Sequence, residues 1–171
     1  MLAHCNSAAA RPELLLLKGN ECVLVIIDMQ DRYEASRGRV VQRAVAREIL
    51  AARQKNWWIM VLEFGGTIPH SPTHPTLTEL LKGYTLCLSP LIKYECDGSK
   101  LVKSTCCKRL VNPKRFRVCG VNIGGCVHAT VDGLVTEFGQ AVIEVVKKAC
   151  NCTAPDQSWQ HFMQHPRLAV I

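Results

Sequence analysis

The sequence predicts an α/β domain in which helices cover both faces of a mainly parallel sheet. Two continuous apolar runs, Cys22-Val-Leu-Val-Ile-Ile27 and Trp57-Trp-Ile-Met-Val-Leu62, lack polar alternation, as strands buried on both faces do. Segments with apolar residues at helical spacing separate the strand-like runs. That strand–helix order argues for right-handed βαβ units and a three-layer α/β/α sandwich. The 171 residues are 48% hydrophobic and 20% charged, enough for one domain with its own core. Residues 1–171 are therefore expected to form a single domain, with 1–20 as a loose lead-in.

The first strand ends at Asp28. Residues 34–55 follow as a helix, with Val41, Ala44, Val45, Ile49 and Ala52 on one face. The second strand ends at Glu63, and a Gly/Pro/Thr/His-rich loop runs from Phe64 to Pro75. Thr76–Leu81 reads as a short helix, and Leu86–Ile92 as a strand interrupted by Pro90. Ser99 is placed to cap a helix reaching about Leu110, which stops near Pro113. Arg115–Cys119 reads as a strand, with a turn beginning at Gly120. From Cys126 to Phe138 the residues Val127, Val131, Leu134, Val135 and Phe138 mark a helix face. Ala141–Val146 is a strand, Asp156–His165 a helix, and Leu168–Ile171 a last short strand.

The net charge is +7, and the basic residues are densest from Lys100 to Arg117. Phe116 is the one aromatic in that stretch, so it offers no stacking platform, and a solvated helix face explains it. A nucleic-acid partner is not expected. The ten cysteines form no pair of Cys-x-x-Cys motifs, and the chain is too apolar to need a disulfide framework. A reducing, cytoplasmic compartment is expected. No stretch approaches the ~20 apolar residues that span a bilayer.

In open parallel sheets ligands collect at the carboxyl ends of the strands. Asp28, Glu63, Lys93 and the segment Gly120–Cys126 all fall there. The most informative stretch is Val118-Cys-Gly-Val-Asn-Ile-Gly-Gly-Cys-Val-His-Ala-Thr130, a strand entering a Gly-rich turn with a cysteine at a helix start. A thiol in that position is expected to have a lowered pKa and to sit beside free N–H groups suited to an oxyanion. Asp28, semi-buried after its strand, needs a partner, and Lys93 is placed to supply the charge. Lys100 and Lys103 are rivals that fall inside the following helix. His128 reads as a helix-surface residue rather than a catalytic base.

Together these segments resemble the isochorismatase-like cysteine hydrolase superfamily, which includes nicotinamidases and N-carbamoyl amidohydrolases. The likeness covers about residues 20–152. Leu24-Val-Ile-Ile-Asp-Met-Gln30 looks like the first-strand motif with its aspartate, and Gly120-Val-Asn-Ile-Gly-Gly-Cys-Val127 with Ala129-Thr130 looks like the nucleophile motif. The resemblance implies a six-stranded, mainly parallel sheet and a homo-oligomer. It implies Cys126, Asp28 and Lys93 as a triad acting on a small amide or related C–N substrate through a thioester. It further implies a cis peptide at Val121–Asn122, with the Asn122 and Cys126 amides as the oxyanion hole. Glu63, Phe64, Tyr94 and Ile123 are the residues expected near the substrate. Ile123 stands where the family commonly has Thr. Nicotinamidases carry a metal on Asp and His residues after the second strand, but Glu63, His70 and His74 are spaced poorly for one, so no metal or other cofactor is expected. An inert small-molecule binder or scaffold on the same fold and a thiol redox protein are the alternatives.

Overall fold

The computed structural model describes residues 21–66, 69–153, 159–162 and 165–171. The lead-in at 1–20 lies outside the described residues, as does much of the expected helix over 156–165, of which Trp159–Phe162 forms a 3₁₀ turn.

Six strands form one sheet: β1 (Cys22–Ile27), β2 (Trp58–Phe64), β3 (Cys87–Lys93), β4 (Arg115–Val121), β5 (Val142–Asn151) and β6 (Leu168–Val170). Their order is β3-β2-β1-β4-β5-β6, and every pairing is parallel. The apolar run of β1 is thereby explained. It lies between β2 and β4, and all six of its residues are buried. Helices α1 (Arg39–Gln54), α2 (Pro75–Leu81), α3 (Ser99–Arg109) and α4 (His128–Glu137) connect the strands. The buried stripe of α1 is Val41, Val45, Ile49 and Ala52, the 3.6-residue period read from the sequence.

Four local expectations change. The helix expected over 34–55 breaks into a 3₁₀ turn at Glu34–Ser36 and then α1, because Gly38 is extended at the N-cap. Ser36 Oγ holds that turn, 2.6 Å from the Gln30 carbonyl and 2.7 Å from that of Tyr33. Ser99 is the first helical residue of α3 rather than its cap, which is Gly98. Strand β4 runs through Gly120 instead of turning there. Gly120 has φ +139°, and a Cβ on it would stand 2.1 Å from the Ile27 carbonyl oxygen, so only glycine lets β4 press this close to β1. Finally, α4 starts at His128 and not at Cys126. Asn122 takes the left-handed conformation (φ 65°, ψ 58°), and a single π turn, Ile123–Val127, carries the cysteine.

No helix among the described residues is long and apolar enough to cross a membrane. The nine described cysteines are all unbridged.

Candidate active site

The carboxyl ends of β1, β2, β3 and β4 meet at one rim of the sheet. Asp28 follows β1 with a left-handed backbone (φ 53°), and its N–H donates to the Leu62 carbonyl at 2.9 Å. Its side chain is wholly buried. Lys93 is the last residue of β3, two strands away in the sheet order. Two interstrand spacings amount to about 9.6 Å, a gap that the long lysine side chain and the Asp28 side chain close from opposite ends. Lys93 Nζ lies 3.0 Å from Asp28 Oδ2 and donates to the Glu95 carbonyl at 3.2 Å. The ring of Phe64, at the end of β2, stands 5.1 Å from the ammonium.

The Cys126 thiol stands against the same carboxylate, and the residue is 8% exposed. Asp28 Oδ1 is buried without a hydrogen-bond partner. Burial pushes the Asp28 carboxyl above the ordinary carboxylate range, opposed chiefly by the Lys93 charge and by the thiol. The Cys126 thiol is pushed up to about 12, first by burial and then by the Asp28 charge, with Lys93 opposing. The lowered thiol pKa expected from a helix start is therefore corrected. Desolvation and a neighbouring carboxylate outweigh the dipole of a short π turn, and the resting thiol keeps its proton at neutral pH.

The expected cis peptide at Val121–Asn122 is also corrected. The cis bond among the described residues is Ser89–Pro90, and the chain turns instead through the left-handed Asn122. With that geometry the Asn122 N–H donates to the Asn151 carbonyl at 2.9 Å, across to β5, so it does not face the thiol as an oxyanion donor. The Asn122 carbonyl in turn accepts from the Gly125 and Val127 amides at 2.9 and 3.2 Å.

Of the four residues expected near the substrate, only Phe64 is brought to the Asp28–Lys93 pair. Ile123 is 1% exposed and belongs to the core, packed under the turn. Tyr94 is 73% exposed, one residue past the inward-facing Lys93. Glu63 is buried in a structural role. Its Oε1 accepts from the Thr73 N–H at 2.7 Å, and its Oε2 faces His70 Nε2 at 3.1 Å. A metal after β2 does not fit this donor set. Glu63 is committed to the loop backbone, while His74 turns to Asp31 at 3.8 Å and Thr76 at 2.9 Å. Among the described residues no group of three or more His, Cys, Asp or Glu side chains could hold a metal ion. His128 lies at the start of α4, 3.4 Å from Asp132 and edge-on to Phe162.

Three residues beside the site went unassigned in the sequence reading. Gln30 is fully buried and holds Phe64 at both ends. It accepts from the Phe64 N–H at 2.8 Å and donates to the Phe64 carbonyl at 3.1 Å and to that of Ser71 at 2.5 Å. Burial raises the phenol of Tyr33, and the nearby Asp28 charge adds to it. Thr130 Oγ1 accepts from the Gly98 N–H at 3.0 Å and donates to the Cys96 carbonyl at 3.3 Å, tying the segment after Lys93 to α4. Gln30 and Thr130 lie inside the two quoted motifs, where a polar residue at an otherwise buried position was the available clue.

No family model matches the sequence, and no curated protein matches it. Solved structures do. A pyrazinamidase/nicotinamidase from Streptococcus mutans superposes with TM-score 0.74 at 15% identity, over 88% of this chain and 100% of that one. The MAR1 ribonuclease from Caenorhabditis elegans gives 0.72 at 18% identity, over 91% and 78%. The YcaC product of Escherichia coli, described as an octameric hydrolase of unknown specificity, gives 0.68 at 15% identity, over 91% and 76%. The six-stranded parallel sheet and its covering helices are thus the isochorismatase-like fold, which this chain shares with nicotinamidases and isochorismatase-like hydrolases.

Proposed function

We propose that the chain is a cysteine hydrolase that cleaves a small amide or a related C–N bond, with Cys126 as nucleophile, Asp28 as acid–base and Lys93 as the charge that keeps Asp28 competent. The observation that carries this reading is the buried Lys93–Asp28 pair at 3.0 Å with the Cys126 thiol against the same carboxylate. Burying two charges costs several kcal/mol per ion before pairing, so such a pair at a strand rim beside a thiol is not cheap scaffolding.

The chemistry follows from the proton positions. The thiol is protonated at rest, and the Asp28 carboxylate against it, pushed above its usual range by burial, is the base within reach. As sulfur bonds to the substrate carbonyl carbon, the S–H proton passes to Asp28. The C–N bond then breaks, Asp28 returns the proton to the leaving nitrogen, and a thioester remains on Cys126. Water attacks the thioester carbon and gives a proton to Asp28. The C–S bond breaks, and that proton returns to sulfur. Lys93 holds Asp28 ionised before attack. The Cys126 amide is the oxyanion donor retained in this reading.

The neighbours' names support an amide substrate for a nicotinamidase and an oligomer for YcaC, and the same two properties are proposed here. The chain is proposed to work as a single domain in a reducing, cytoplasmic setting, in keeping with the absence of disulfides among the described cysteines. The test is release of ammonia or amine from a panel of small primary amides and N-carbamoyl compounds. The wild-type chain should turn over at least one, and Cys126→Ala should abolish that activity. A Cys126→Ala variant with full activity would sink the assignment.

A further inference from the structure

The structure also carries a cationic ridge remote from the thiol in sequence and chemistry. Along α1, Arg39, Arg43 and Arg47 are exposed and follow one another at i, i+4 and i+8, so their side chains line one face over about 12 Å. Grooves flank this ridge. One, of about 350 Å³, is floored by Val40 and Ala44 and walled by Arg43, Arg47 and Lys148 of β5. The other, of about 440 Å³, lies between α1 and α2 and is bordered by Arg39 and Arg43.

Among the described residues none of these four cations forms an ion pair. The single acid of α1, Glu48, is taken by Arg117 at 2.7 and 3.0 Å. The arrangement runs against helix stability twice. Like charges repeat at i, i+4, and Arg39 occupies the first helical residue, where the helix dipole disfavours a cation. The Arg43 Nε donates to the Arg39 carbonyl at 3.3 Å, but no acid among the described residues offsets the charges. A surface helix that breaks two local rules without an ion pair to offset them is where function is to be sought. By contrast, in the denser run from Lys100 to Arg117, Lys103, Lys114, Arg115 and Arg117 are all paired with glutamates.

We propose that the Arg39–Arg43–Arg47 ridge with Lys148 binds the phosphate backbone of a nucleic-acid duplex, without reading its sequence. Guanidinium groups match phosphate in a planar, bidentate geometry. A duplex offers one negative charge per ~1.7 Å of axis, the densest ligand for a row of cations. A single strand is less suited, because binding it draws on aromatic stacking and none of the residues walling the two grooves is aromatic. A second copy docked about a two-fold axis through the ridge itself would set arginines against arginines, so that contact is disfavoured.

The test is anisotropy of a labelled duplex of ~20 base pairs with the full chain at several salt concentrations. The wild-type chain should bind with a log–log salt slope of about −3 to −4, each contact contributing about −0.9. The combined variant Arg39→Gln, Arg43→Gln, Arg47→Gln should lose about 3 from that slope and at least about tenfold in affinity at low salt. The charge-matched variant Lys100→Gln, Lys108→Gln, Arg109→Gln should stay close to wild type. The α1 variant should keep its urea midpoint or raise it, because like charges are removed. The proposal is overturned if the duplex does not bind at low salt, or if the two variants lose equally. It is also overturned if oligoglutamate of equal charge competes as well as the duplex, which would point to an acidic protein, or if the α1 variant is less stable.

Discussion

Replacing Lys93 by Met keeps the stem and removes the charge, leaving Asp28 buried and uncompensated. The structure sets the size of the effect. Asp28 is fully buried, its Oδ1 has no hydrogen-bond partner, and Lys93 is the cation 3.0 Å from Oδ2. Without Lys93 the carboxyl escapes the penalty by taking up a proton. At pH 7 that protonation, from an unfolded-state value near ~3.9, costs about 4 kcal/mol at about 1.4 kcal/mol per pH unit. This agrees with the ~3–5 kcal/mol measured when one partner of a buried pair is removed. The sign follows from linkage. The variant's folded Asp28 pKa lies further above the unfolded value, so stability is fully present below about pH 4 and falls by up to about 1.4 kcal/mol per unit as pH rises toward the folded pKa. Urea unfolding of both proteins from pH 5 to 8 reads the difference, which should widen with pH. The double variant Asp28→Asn, Lys93→Met should recover most of the loss, since no charge is left buried. A single variant within about 1 kcal/mol of wild type and flat with pH would refute the reasoning.

Other perturbations follow from single contacts. Gly120→Ala forces a Cβ to within 2.1 Å of the Ile27 carbonyl at φ +139°, and should cost at least about 3 kcal/mol in urea unfolding or abolish soluble expression. Thr130→Val strands the Gly98 N–H, and a loss of about 1–3 kcal/mol is expected by the same assay, with a larger fall in kcat than change in KM because the segment after Lys93 is released. Arg117→Met breaks contacts to Glu48 and Glu144 that are only partly buried, so a loss of about 1–2 kcal/mol is expected in urea unfolding at low ionic strength, shrinking in about 1 M salt.

The parts of the fold legible in the sequence were those fixed by burial. β1 and β2 lie within the sheet, and their unbroken apolar runs say so. α1 showed its stripe because only one of its faces packs. β3 was harder to read. It is an edge strand whose residues are mostly half-exposed, with Pro90 in its middle. Asp28 and Lys93 could be paired because both end strands on one rim, and the rule about carboxyl ends does not depend on loop detail. What failed depended on such detail. The turn before Cys126 is set by one left-handed residue, Asn122, which diverts its own amide to β5 and replaces the expected helix start by a π turn. The thiol was misjudged because a dipole argument can be made from sequence, whereas burial and a facing carboxylate need coordinates. Charge density likewise pointed to 100–117, where the structure pairs four of the seven cations, and away from α1, where the ridge arginines stand unpaired among the described residues.

The most direct test of the triad is the response of Cys126 to Asp28→Asn, read in two ways on one preparation: iodoacetamide labelling of Cys126 by peptide mass mapping at pH 8, and amide turnover. Because Asp28 raises the thiol pKa, its loss should speed alkylation. Because Asp28 carries the proton to the leaving nitrogen, the same change should lower turnover at least about 100-fold. Alkylation and turnover that both fall, or turnover that survives, would contradict the account.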